Sequence, residues 1–213
     1  MRWSFGGHET FVIREGWLHK GLSLLLDDPD TLSGPGAADA LGVGQNMAKS
    51  IRHWLVVTGL ADRAGGKRGA LHITELGTLI WSQDCYFLAS GTWWALHMQL
   101  VNQPRAGAWC WFFNHFGQPR FERAVCIERL NQYLQLHRWR APSRNTLERD
   151  ISCLLRCYAT TVPISWWSIS GRPGALPAWL RFPTSSGSRR IIPKAAYAWS
   201  ASPPISSATW TDS

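Results

Sequence analysis

Apolar residues recur every three or four positions through the first 158 residues, which is the pattern of amphipathic helices. Two short strands interrupt this pattern and flank a glycine-rich tip, Ala64–Gly69. Pro29 is predicted to stop the first helix, Gly59 to cap the third, and Thr74 to begin the fourth. The predicted helices are Trp17–Leu26, Ala37–Leu41, Gln45–Thr58 and Glu75–Trp81, and the predicted strands are Leu60–Arg63 and Ala70–Ile73.

Helical spacing continues to Tyr158 through a block that is dense in aromatic residues. The aromatic residues from Trp109 to Phe116 follow an i, i+3, i+4, i+7 pattern, which favours a core face over a base-stacking surface. His97 and His115 are then expected to be buried helix residues rather than ligands. Further helices are predicted at about Thr92–Asn102, Ala108–Phe116, Phe121–Leu136 and Ser143–Tyr158. The predicted fold class is therefore mainly α.

The composition changes after Tyr158. Residues 159–213 carry 11 Ser, 7 Pro and five tryptophans but a single acidic residue, whereas the first 158 residues carry 13 acidic residues. This composition is typical of a GC-rich gene read in the wrong frame. We therefore predict an irregular or disordered tail and a frameshift shortly after Tyr158. The predicted organisation is a DNA-binding region at 1–82, an aromatic-rich helical region at 83–158 and the tail at 159–213.

The order helix, helix, glycine turn, helix, basic hairpin is that of a winged helix-turn-helix. The third helix places Met47, Ile51 and Trp54 on one stripe, which is suited to packing on the first two helices. Its opposite face and the hairpin carry donors suited to base edges and phosphates. The candidate DNA-binding residues are Gln45, Asn46, Lys49, Ser50, Arg52, His53, Arg63, Lys67 and Arg68. The alternative is a dimerisation or scaffold module whose outer face is merely polar.

Charge and cysteine content narrow the classes of partner. Lys and Arg number 22 against 14 acidic residues, a net charge of +8, which favours an anionic partner such as nucleic acid over a simply solvated basic surface. The five cysteines are odd in number and lack CxxC spacing, so reduced thiols are expected and no metal site is predicted from them. No signal peptide or membrane-spanning segment is recognisable, and we expect a cytoplasmic protein with no membrane partner.

The opening stretch FGGHETFVIREGWLHKG raises a separate question of chemistry. His8 and Glu9 are weak candidates for catalysis, since together they could bind a divalent ion or move a proton during phosphodiester cleavage. The pair lacks the second carboxylate that metal-dependent nucleases use, and a structural role such as pairing of Glu9 with a buried arginine is the favoured alternative. No cofactor is predicted beyond this hypothetical divalent metal.

Several strings, taken together, carry a family resemblance. They are Gly6-Gly7-His8-Glu9-Thr10-Phe11, Leu41-Gly42-Val43-Gly44, Lys49-Ser50-Ile51-Arg52, Thr74-Glu75-Leu76-Gly77 and Thr146-Leu147-Glu148-Arg149-Asp150. Over residues 5–158 the chain resembles the domain-of-unknown-function family numbered 4007, and the tail departs from it. That family includes the SspB-type component of bacterial DNA phosphorothioate modification systems, which works beside a cysteine desulfurase and an ATP-using sulfur-transfer enzyme.

The resemblance implies DNA binding in phage defence, with nicking of the DNA backbone as a further hypothesis. Four functions therefore stand open at this point. They are a DNA-binding component of phosphorothioation, a DNA nickase, a non-catalytic adaptor for the sulfur-transfer enzyme, and a winged-helix transcriptional repressor.

Overall fold

The computed structural model describes residues 3–14, 16–63, 70–118 and 121–160, with side chains described as far as Tyr158. Within these residues the chain forms nine α-helices and one antiparallel pair of strands. The helices are α1 (Trp17–Asp27), α2 (Pro29–Ser33), α3 (Ala37–Leu41), α4 (Gln45–Val57), α5 (Glu75–Asp84), α6 (Ser90–Asn102), α7 (Gly107–His115), α8 (Arg123–Leu136) and α9 (Arg144–Thr160). The strands are β1 (Ala61–Arg63) and β2 (Leu71–Ile73). The prediction of a mainly α fold is confirmed.

The ends of α4 and α5 follow from local backbone chemistry. Gly59 has a φ of 76°, a left-handed value that glycine adopts without steric strain. This turn lets Gly59 N–H donate to the carbonyl of Val56 and Leu60 N–H donate to that of Leu55, so the last carbonyls of α4 are satisfied. Thr74 begins α5, and its hydroxyl accepts a hydrogen bond of 3.0 Å from Gly77 N–H. Both caps were predicted from the sequence.

One short helix departs from the prediction. Pro29 does end α1, but it also opens α2, because a proline at the first helical position needs no hydrogen-bond acceptor for its nitrogen. Asp28 caps α2 by accepting from Thr31 N–H at 2.9 Å. The sequence Asp-Pro is therefore both a stop signal for one helix and a start signal for the next.

The two strands pair with Asp62 opposite His72 and connect α4 to α5. The residues of the predicted hairpin tip, 64–69, lie outside the described residues. Arg105, from the connection between α6 and α7, approaches the strand pair and places its guanidinium 3.4 Å from the carboxylate of Asp62.

All described residues belong to one compact unit, and aromatic side chains fill much of its core. Trp54 of α4 and Trp109 of α7 are buried and meet edge to face, with their ring centroids 5.5 Å apart. His97 is buried and hydrogen-bonds Tyr158 at 2.8 Å, as expected, whereas His115 is exposed because it lies at the end of α7. All five cysteines are unpaired thiols, as predicted.

Helix α9 extends to Thr160, two residues past the point at which helical periodicity ends in the sequence. The predicted irregular tail and frameshift fall almost entirely on residues 161–213, which lie outside the described residues, and they stay predictions. Reading the gene in its other frames beyond codon 158 tests them. Across the helices that the structure describes, none combines the length and the apolar character that a membrane span requires.

Candidate nucleic-acid interface

Helix α4 presents two different faces. Ile51, Trp54 and Leu55 are fully buried against the rest of the protein. On the opposite side Gln45, Asn46 and Lys49 are exposed, and Arg52 is partly exposed; we call these four residues the α4 face. They are four of the six donor-bearing residues that the helical periodicity predicted for this side, the others being Ser50 and His53.

The start of the α4 face is electrostatically suited to an anion. Gly44 precedes the helix and offers no side-chain cap, and no acidic residue lies in the first turn. The first backbone N–H groups therefore keep their partial positive charge, which attracts phosphate. Lys49 Nζ lies 3.3 Å from Asn46 Oδ1, so the lysine is held over this first turn.

Arg63 of β1 brings a further cation to the other end of the face. Burial lowers the pKa of Arg52, and the neighbouring positive charge of Arg63 lowers it further. The pKa of His53 is lowered to about 3 by burial first, and then by His8 and Arg63. Arg52 and Arg63 thus form a pair of neighbouring cations, whereas His53 is neutral at pH 7 and contributes only a hydrogen-bonding ring.

The remaining candidate DNA-binding residues separate into two groups. Ser50 is fully buried, and its hydroxyl donates to the carbonyl oxygen of His8 at 2.9 Å, so we leave it out of the proposed contact surface. Lys67 and Arg68 lie outside the described residues, and their role in DNA binding stays a prediction.

Residues 3–14 form an N-terminal strap that runs beneath the α4 face and over α9. Its centre is His8, which is 1 % exposed. Thr10 N–H donates to His8 Nδ1 at 3.0 Å, so Nε2 carries the proton and donates to Asp150 Oδ1 at 2.9 Å. Asp150, 2 % exposed, also accepts from Gly6 N–H through both carboxylate oxygens, at 3.0 and 3.1 Å. We call His8, Asp150, Gly6 and Ser50 the clasp.

The strap touches helices on both sides of the clasp. Trp54 Nε1 of α4 donates to the carbonyl of Phe11, and Arg156 of α9 donates to the carbonyl of Thr10. Gly7 lies so close to α4 that a Cβ placed on it would be 2.3 Å from Nδ1 of His53. The strap therefore joins α4 to α9 through its backbone carbonyls, and the absence of a side chain at Gly7 permits its close approach to His53.

His8 and Glu9 point to different environments. Glu9 and Thr10 have φ values of 49° and 70°, and this left-handed turn leaves Glu9 exposed while the His8 ring stays inside. Since both ring nitrogens of His8 are already bonded, the geometry gives His8 a positioning role in the strap. The described ion pairs do not include one between Glu9 and an arginine.

The residues around His8 and Glu9 do not form a recognisable binding site for a divalent ion. Mg²⁺ takes oxygen ligands in near-octahedral geometry and usually one or two carboxylates. Within the described residues no three or more His, Cys, Asp or Glu side chains converge as a metal would require. The fold brings the carboxylate of Asp150 to His8, but Glu9 is exposed and both ring nitrogens of His8 are already hydrogen-bonded, so His8, Glu9 and Asp150 do not converge on one site and support no metal-dependent step.

Sequence reasoning missed Asp150 as the partner of His8, although a signal was present. Leu147, Ile151 and Leu154 form a buried stripe on α9, and Asp150 lies within that stripe at helical spacing. An acidic residue on an apolar stripe must be paired, because an isolated buried carboxylate is strongly unfavourable. That reasoning identifies Asp150 as a paired acid but not His8 as its partner.

Comparison with known families agrees with the resemblance seen in the sequence. The model of the family "Protein of unknown function (DUF4007)" matches residues 5–165. The chain belongs to this family. Among curated proteins, no match was found.

Two solved structures share the fold. The crystal structure of magnesium ion-bound SspB is 25 % identical, with a TM-score of 0.67, and the match covers 72 % of this chain and 48 % of that one. A second SspB crystal structure is also 25 % identical, with a TM-score of 0.65, over 72 % of this chain and 49 % of that one. The matched part of this chain thus spans about half the length of SspB.

Proposed function

We propose that this chain is a DNA-binding component of a bacterial DNA phosphorothioate modification system that serves phage defence. In this proposal α3, α4 and the β1–β2 pair act as a winged helix-turn-helix, with α4 in the major groove and Arg63 at the start of the wing. The observation that carries it is the α4 face, where exposed donors and two neighbouring cations follow a helix start without acidic residues. The likeness to SspB supports the choice of system.

The DNA contact divides between positioning and readout. Lys49, Arg52 and Arg63 supply charge for phosphate oxygens, which gives affinity without sequence preference. Gln45 and Asn46 lie on the same face and carry amides of the type that pairs with adenine in the major groove. Since Ser50 and Trp54 hydrogen-bond the strap, the helix that carries this face is held in place before DNA arrives, and only its exposed side chains need to be ordered on binding.

Binding to a labelled duplex tests the proposal. The double variant Lys49→Ala with Arg52→Ala is expected to bind about tenfold or more weakly at low salt and to reduce the salt slope by about one for each lost phosphate contact. A matched control, Lys20→Ala with Arg123→Ala, removes the same charge from exposed positions on α1 and α8. Equal affinities for the folded double variant and the control would favour the scaffold or dimerisation module.

Nicking is the second candidate function, and Glu9 is the residue that tests it without disturbing the fold. Glu9 is exposed, so Glu9→Gln leaves the clasp intact, whereas His8→Ala removes a buried hydrogen-bonded ring. If Glu9 acts in cleavage, supercoiled plasmid is relaxed by the wild type with a divalent ion and not by Glu9→Gln, while duplex affinity is unchanged. We expect instead that the two proteins behave alike, as a DNA-binding component would.

Partner proteins distinguish the remaining alternatives. If the chain works beside a cysteine desulfurase and an ATP-using sulfur-transfer enzyme, their genes should lie next to its gene. The encoded proteins should also co-purify with it. If this chain is an adaptor, its Lys49→Ala, Arg52→Ala variant should bind the sulfur-transfer enzyme as well as the wild type does. If the chain is a repressor, its gene should stand alone near a promoter. The protein should then protect that promoter from nuclease.

A further inference from the structure

A second basic surface lies at the other end of the strap, outside the α4 face. Between Arg129 and Leu147 the chain carries four arginines and His137 but no acidic residue. Arg138 and Arg140 are exposed on the α8–α9 connection. Within the described residues the ion pairs involve other side chains, and no carboxylate lies within pairing distance of these two guanidinium groups.

Aromatic rings hold this connection in place. Trp139, between the two arginines, meets Trp3 of the strap edge to face with centroids 4.6 Å apart. Trp3 also stacks on Tyr133 at 5.5 Å with an interplanar angle of 7°. The exposed ring of His137 lies 4.3 Å from Tyr133. We call Arg138, Arg140 and His137, on this aromatic floor, the α8–α9 patch.

Arg138 occupies a backbone position that normally belongs to glycine. Its φ is 52°, and Arg138 N–H and Trp139 N–H donate to the carbonyls of Gln135 and Leu134, which is the hydrogen-bond pattern of a helix end with a left-handed residue after the cap. A residue with a Cβ is strained there, and glycine is not. An arginine at such a position gives up backbone stability while presenting a cation on a fixed turn.

The strap also limits the distance between the residue that supports this patch and the residue that lies against α4. Gly7 lies against His53 of α4, and Trp3 lies against Tyr133 and Trp139. Four residues of chain span at most about 14 Å between the Cα atoms of Trp3 and Gly7. That distance is less than half of a helical turn of duplex DNA, which is about 34 Å long.

We propose that the α8–α9 patch is a second contact for the phosphodiester backbone of the duplex that the α4 face holds. The proposal rests on the proposed function, because it takes the same DNA as its ligand. Arg138 and Arg140 contact phosphate oxygens, and His137 donates from its ring. The floor of Trp3, Tyr133 and Trp139 keeps these groups in position before the DNA arrives.

The test uses the double variant Arg138→Gly with Arg140→Gln in the full chain. Glycine relieves the strain at position 138, so the midpoint of thermal unfolding is expected to stay equal to that of the wild type or to rise. Affinity for a labelled duplex of about 20 base pairs at ~100 mM salt is expected to fall about tenfold, and the salt slope by about one to two. A loss of affinity together with a gain in stability cannot come from a damaged fold.

Arg123→Gln, which removes one positive charge where the patch variant removes two, is the control for a distant position. Arg123 begins α8, about 20 Å from Leu136 along the helix, and its substitution removes one exposed positive charge far from the patch. Its affinity is expected to stay within about twofold of the wild type. A loss equal to that of the patch variant would show a general effect of net charge and overturn the proposal.

The Lys49→Ala, Arg52→Ala variant separates this proposal from the proposed function. If that variant binds weakly and the patch variant binds like the wild type, the second contact is wrong and the α4 face stands. If the patch variant binds weakly and the α4 variant normally, the patch is a DNA contact and the α4 face is not. A wild type that does not bind the duplex overturns both.

Discussion

The clasp and the α4 face are two polar clusters that share one helix and differ in where their partners lie. Ser50 and Lys49 are adjacent in the sequence, yet Ser50 is buried against His8 whereas Lys49 is exposed. A buried polar group needs its internal partner, because water is absent and an unpaired donor or acceptor destabilises the fold. An exposed group has water instead and contributes little to stability, so it is available for a ligand. The difference predicts which observable each residue controls.

The largest expected effect is on stability, from Asp150→Ala. It leaves the buried Nε2–H of His8 and the half-buried N–H of Gly6 without an acceptor, and we expect a loss of about 3–5 kcal/mol in the free energy of unfolding. Urea denaturation measures it. Glu148→Ala is the control on the same helix, since Glu148 has only an exposed pairing with Arg144, which contributes less than about 1 kcal/mol. Similar losses for the two variants would contradict a special role for the clasp.

Gly7→Ala is expected to cost about 1–3 kcal/mol, because its new methyl group would overlap the His53 ring. Gly91→Ala, where a Cβ meets no atom within 4 Å, is the control, and because Gly91 lies in α6 its stability should stay the same or rise slightly. The double variant Gly7→Ala with His53→Ala should recover much of the loss, since the two sites are in contact. If the double variant does not recover stability, the loss in Gly7→Ala does not come from overlap with the His53 ring.

Ser50→Ala and Lys49→Ala sharpen the comparison because each should change one observable and not the other. Ser50→Ala is expected to lose about 1 kcal/mol of stability with unchanged DNA affinity. Lys49→Ala is expected to lose DNA affinity, with stability changed by less than about 0.5 kcal/mol. Denaturation and duplex binding of both variants provide the four measurements. A Ser50→Ala protein that keeps its stability but loses DNA would move Ser50 from the clasp to the interface.

The smallest effect concerns pH and His53. Because its pKa is about 3 in the folded protein and about 6.5 in an unfolded chain, only the unfolded state takes up a proton as the pH falls below 6.5. The stability of the fold with a neutral, buried His53 is therefore fully present above pH 6.5, and it is lost progressively as the pH falls toward 3. Between pH 7.5 and 6 the loss is less than about 1 kcal/mol. Denaturation of His53→Gln at both pH values should show a smaller loss, and an equal loss would contradict the lowered pKa.

Local signals explain what the sequence could predict. Helix α4 was found within one residue because apolar spacing, a glycine start and a glycine cap all agree over a short stretch. The exposure of Gln45, Asn46 and Lys49 followed from the same spacing. Ser50 was predicted on the exposed face and is buried, because it lies at the border of the apolar stripe, where a small polar side chain fits either face.

Long-range pairing explains what could not be predicted. His8 and Asp150 are 142 positions apart, and a single sequence contains no signal that links them. The α8–α9 patch depends on Trp3 in the same way, since its aromatic floor combines the first described residue with α8. Local periodicity predicts which side chains face inward, but the tertiary fold decides which of them meet.

The strap has a consequence for the order of folding. The strap is synthesised before the helices that it contacts, and its partners in α9 are made more than 140 residues later, with Arg156 meeting Thr10 across 146 positions. Contacts of such high sequence separation form late, because closing a long loop has an entropic cost before the contact rewards it. Helices α1 to α5 therefore emerge while Gly6, His8 and Thr10 still lack their partners in α9, which are Asp150 and Arg156. The contacts that hold the strap beneath α4 and over α9 are therefore complete only after α9 has been made.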